Sequence, residues 1–78
     1  MTQAAPPPTT FVFDTTHHAI WAEEVAEEHA IPVEVIPAPP EAKASCGLAL
    51  RAHAARAEDL SKALRDSGVD FRTHRPVP

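Results

Sequence analysis

Cys46 is the one cysteine in the 78-residue chain, and the run Lys43-Ala44-Ser45-Cys46-Gly47 sets it between a cation and a residue with no side chain. A lone cysteine cannot close an internal disulfide. With no second thiol to resolve an adduct, it suits the transfer of a sulfur-bound group between proteins better than dithiol redox chemistry. Only the thiolate is a good nucleophile, and its ordinary pKa of about 8.5 falls by several units beside a cation or at a helix N-terminus. Lys43 supplies a nearby cation, and Gly47 leaves room for a partner's sulfur to approach. Arg51 brackets the thiol on the other side, several strand residues away.

A second cluster is Thr16-His17-His18, a hydroxyl and two imidazoles at what reads as a helix start. Backbone N–H groups without intrahelical partners and the positive end of the helix dipole stabilise anions there. Adjacent helical residues point about 100° apart, so at most one of His17 and His18 turns toward the thiol. His29, His53 and His74 read as structural or exposed. Two other readings stand beside a working thiol. Free cysteine is among the most buried residue types, so Cys46 could instead pack inside a non-catalytic interaction or regulatory module, with the sheet forming a dimer. Metal binding by Cys46, one histidine and Asp14 is a weaker third, because these ligands have no recognised spacing.

Placing these residues requires the surrounding elements. Phe11-Val12-Phe13 is a β-prone run ending at Asp14-Thr15-Thr16, whose small oxygen-bearing side chains cap helices. From His17 to His29, Ala22, Val25, Ala26 and His29 recur at helical spacing, with Glu23, Glu24, Glu27 and Glu28 on the other side. Pro32 ends that helix, and residues 33–36 predict a second strand. Pro37, Pro39 and Pro40 predict a loop of about nine residues over 37–45, long for so small a domain. Residues 47–51 alternate as a third strand, with Leu48 and Leu50 on one face. A second helix is expected over 58–67: Glu58 and Asp59 suit its first turn, Leu60, Ala63 and Leu64 form its stripe, and Gly68 caps it, although Ala57 is a poor N-cap. Residues 69–74 complete a fourth strand before Pro76.

The order β-α-β-β-α-β is that of the ferredoxin-like α+β sandwich, a four-stranded antiparallel sheet of order 4-1-3-2 with two helices on one face. That topology brings the second-to-third-strand loop beside the start of the first helix, and so carries Cys46 toward Thr16, His17 and His18. Residues 1–10, polar and proline-rich, read as a disordered arm; 11–75 form one domain and 76–78 a short tail.

Composition narrows the function. A net charge of −4 without a concentrated basic face argues against nucleic acid as a partner, and no apolar run of membrane-spanning length or secretory signal is present, so a cytoplasmic protein is expected. The small alanine-rich core leaves a homodimer open as a source of stability. No cofactor and no metal are called for.

The segments "FVFDTTHHAIWAEEVAEEHAIPVEVIPAPPEAKASCGLALR" and "EDLSKALRDSGVDF" resemble the small bacterial DUF3343 proteins described as carriers of sulfur or selenium. The sharpest pieces are Thr16-His17-His18-Ala19, Pro37-x-Pro39 and Cys46-Gly47-Leu48-Ala49. Glu41 and Lys43 depart from the arginine and serines of that family's loop. The resemblance implies a carrier, rather than a stand-alone enzyme, that holds a persulfide or perselenide on Cys46 and relays it from a donor protein to an acceptor enzyme.

Overall fold

The computed structural model describes residues 7–40 and 47–74. In chain order these form β1 (Thr9–Val12), α1 (Thr16–Glu28), β2 (Val33–Pro37), β3 (Leu48–Ala52), α2 (Ala54–Ser67) and β4 (Arg72–His74). The strands make one antiparallel sheet of order β2-β3-β1-β4, which is the expected 4-1-3-2 arrangement of the ferredoxin-like fold.

Alternation along the central strands decides the two faces of the sheet. Phe11, Phe13, Leu50 and Ala52 join the apolar stripes of both helices in one buried cluster, so α1 and α2 cover the same face. Alanines at 19, 22 and 26 of α1 and at 57 and 63 of α2 are buried, and their small side chains let the helix backbones lie close to the sheet. Larger side chains fill the remaining space: Phe11, Phe13, Leu60 and Leu64 are all but fully buried, each worth about 1.5–3 kcal/mol. Val12 and Ala49 point to the helix-free face, where Ile36 and Ala38 pack against them.

Several boundaries depart from expectation for identifiable reasons. β1 starts at Thr9, so Thr9 and Thr10, assigned from sequence to the arm, are buried and pair with Ala52 and Arg51. The central position of β1 extends it, since a strand on either side supplies ladder partners. Pro37, expected in the loop, is the last residue of β2 and lies opposite Leu48. The next step of the ladder is the bond from Ala38 N–H to Gly47 C=O, at 3.0 Å. Antiparallel bonding alternates, so the nitrogen of Pro37 points to the free edge, where its missing N–H costs no ladder bond.

α2 begins one turn earlier than expected, at Ala54, with His53 as an N-cap that makes no side-chain bond. Alanine-rich Ala54-Ala55-Arg56-Ala57 has high intrinsic helix propensity and buries Ala57, which suffices without a capping side chain. β4 is shorter than expected because Val69 finishes the cap of α2 and Asp70 bonds elsewhere. Among the described residues no helix is long and apolar enough to cross a membrane.

Candidate functional site

Three chain connections meet at one end of the sheet: β1 to α1, β2 to β3, and α2 to β4. The register shows why. Val12 lies opposite Ala49 on β3 and opposite Arg72 on β4. The ladders stop there; continued in the same register by two residues, they would set Asp14 opposite positions 47 and 70. Gly47 thus stands at the end of β1, where the chain turns into α1.

Thr15 caps that helix. Its backbone is extended (φ −135°, ψ 151°), and its side-chain oxygen accepts the His18 N–H at 3.2 Å. One of the three first-turn amides expected to hold an anion, that of His18, is therefore already engaged. The first turn carries no acidic residue, so the positive end of the α1 dipole is not neutralised from within the helix. Thr16 is the exposed first residue of α1.

The two histidines have different fates. His18 is half-buried, and its Nδ1 accepts the Asp70 backbone N–H at 3.1 Å, tying α1 to the α2–β4 connection. An Nδ1 that accepts carries no proton, so in this geometry neutral His18 bears its proton on Nε2 and can offer it as a donor. His17 is exposed and lies beside Trp21, ring centroids 6.3 Å apart, while His18 approaches the same indole at 5.8 Å. The far edge of Trp21 reaches Gly68 at the end of α2.

Gly47 is exposed, and a Cβ built on it would meet no atom of the described residues within 4 Å. Cys46 and Lys43 lie outside the described residues; the sequence bonds Cys46 directly to Gly47. Arg51 does not belong to this end of the sheet. It sits four residues along β3, about 13 Å at the usual strand rise, and pairs with Glu34.

Arg72 and Asp14 form an exposed ion pair at 3.5 Å, of a kind that contributes little to stability. Among the described residues no group of three or more His, Cys, Asp or Glu side chains is arranged to hold a metal ion. Sequence reasoning missed two contacts here, His18 with Asp70 and Asp14 with Arg72. The second was within reach, because the two are oppositely charged, Asp14 just past the first predicted strand and Arg72 within the fourth, beside it in the 4-1-3-2 order. The first had no local signal, since its partner is a backbone amide 52 residues away.

No curated protein and no solved structure matches the chain. A family model does, over residues 9–74, from the first residue of β1 to the last of β4. On that match the chain belongs to the family described as "Putative Se/S carrier protein-like" (DUF3343).

Proposed function

We propose that this protein is a sulfur or selenium carrier in which Cys46 holds the chalcogen between a donor protein and an acceptor enzyme. The observation that carries the reading is the position of Gly47, the residue bonded to Cys46. It lies beside the end of β1, where the capped N-terminus of α1 begins and where His18 is held by Asp70. The family match over residues 9–74 supports it independently.

The transfer balances without an external oxidant. The Cys46 thiolate attacks the outer sulfur of a donor persulfide, a new S–S bond forms on Cys46, and the donor's inner sulfur leaves as thiolate. An acceptor nucleophile then takes the outer sulfur and returns Cys46 to the thiolate. Selenium follows the same two displacements from a perselenide. No second cysteine is present to divert the adduct into an internal disulfide. The role of the fold is to favour the anion at both stages. Lys43 supplies positive charge from the same loop, the His17 backbone N–H and the dipole of α1 act from the helix start, and His18 offers Nε2–H. Thr16 lines the same first turn, and Gly47 leaves the approach clear. A thiol that must stay reduced between transfers fits the cytoplasm.

The test is the intact mass after incubation with a cysteine desulfurase and cysteine, or with the same enzyme and selenocysteine, read with and without reductant. Wild type should gain one chalcogen that reductant removes, and Cys46→Ser should gain none while remaining folded. Absence of any gain on wild type with every competent donor would refute the carrier reading.

A further inference from the structure

The outward face of α1 carries features that the fold does not use. At 100° per residue, Ile20, Glu24 and Glu27 fall within an arc of about 60° on the side of α1 away from the centre of the buried Ala19, Ala22, Val25 and Ala26. Glu23 and Glu28 flank this arc, and α1 contains no lysine or arginine. Among the described residues none of these four carboxylates has an ion pair.

Their placement opposes local helix physics. Glu27 and Glu28 occupy the last turn, at the negative end of the dipole, and that turn holds no basic residue. Glu23 with Glu27 and Glu24 with Glu28 are like charges at i,i+4 spacing, an unfavourable arrangement on a helix. A solvated face would explain the charges but not their apolar neighbour. Ile20 is 49% exposed, and with His17, Trp21 and Glu24 it lines a shallow hollow of about 250 Å³.

We propose that this face docks a partner protein whose contact surface is basic with an apolar centre. Arginine or lysine side chains of the partner meet Glu23, Glu24, Glu27 and Glu28, and an apolar side chain seats on Ile20 against the edge of Trp21. A second copy of the chain is a poor occupant, because a two-fold contact through this face would set glutamate against glutamate. His17 joins the hollow to the first turn of α1, so a partner seated there lies next to the end of the sheet that holds Gly47. Identifying that partner as the sulfur donor or acceptor rests on the carrier reading; the docking surface itself does not.

The experiment places a photo-reactive phenylalanine derivative at position 20 of the full chain, keeping the site apolar, and at Glu58 on α2 as a control. After irradiation in lysate of the source cells, the crosslinked peptide of the partner is sequenced by mass spectrometry. Expected is a crosslink specific to position 20, to a peptide whose neighbours on the partner are Arg or Lys. Its yield should fall about tenfold or more both at high salt and in the variant with all four glutamates changed to glutamine, as for electrostatically steered association. Equal crosslinking from both positions, crosslinks only to the chain itself, a contact peptide without basic neighbours, or no crosslink would each overturn the proposal. Chalcogen gain on Cys46, measured separately by mass, keeps the two readings distinguishable. Specific crosslinking without gain leaves the docking surface standing and removes the carrier, and gain without crosslinking does the reverse.

Discussion

Replacing Ala30 by glycine should stabilise this protein, and replacing Gly68 by alanine should destabilise it by a similar amount. Both helices end in the same way. At α1, Ala30 N–H bonds Glu27 C=O at 3.1 Å and Ile31 N–H bonds Ala26 C=O at 2.8 Å. At α2, Gly68 N–H bonds Arg65 C=O at 3.1 Å and Val69 N–H bonds Leu64 C=O at 2.9 Å. Each pair is a Schellman cap, and each is followed by a buried apolar residue, Ile31 or Val69. The cap demands a left-handed residue, which is Gly68 at φ +87° in α2 but Ala30 at φ +55° in α1. An L-residue with a Cβ costs roughly 1–2 kcal/mol in that region. Glycine removes this cost but adds about 0.4–1 kcal/mol of unfolded-state entropy to be lost on folding. The net gain for Ala30→Gly is about 0.5–1 kcal/mol, or some 3–6 °C in Tm for a domain of this size. At Gly68 a new Cβ would meet Trp21 Cη2 at 3.8 Å, an ordinary contact, so no clash is added and the same two terms act with opposite sign. Circular dichroism melts and urea titrations read both, with m-values unchanged because the buried surface is the same. A destabilised Ala30→Gly, or two shifts of the same sign, would refute the argument.

Thr15→Ala removes the side-chain acceptor of the His18 N–H in the first turn of α1 and should cost about 1 kcal/mol in urea titration. His18→Ala leaves the Asp70 N–H without its acceptor and should cost about 0.5–1.5 kcal/mol, with faster hydrogen exchange at that amide; His17→Ala should stay within about 0.5 kcal/mol. Equal costs for the two histidines would contradict the assigned roles. Gly47→Ala meets no atom of the described residues and should change stability by less than about 0.5 kcal/mol. On the carrier reading, the same variant slows sulfur exchange with a protein donor more than with a small persulfide, a ratio measurable by timed mass spectrometry.

Local signals account for the parts of the fold that residue spacing can encode. The alternation Leu48-Ala49-Leu50, the stripe Leu60-Ala63-Leu64, Thr15 at a helix start and Gly68 at a helix end each act over a few residues, so the element order and the α+β class follow from them. The lone cysteine and its glycine neighbour are likewise plain in the chain, and the proposed thiol chemistry starts from them. Other features depend on neighbours distant in sequence. Thr9 and Thr10 become strand because β1 is central, and Pro37 remains in a strand because β2 is an edge. His29 fits the helical spacing of the buried positions yet is exposed, because α1 ends at Glu28 and His29 has become its C-cap. The two adjacent histidines are identical as letters. Only the antiparallel register, which carries Asp70 to the end of β1, decided that His18 is anchored with its proton on Nε2 while His17 stays at the surface.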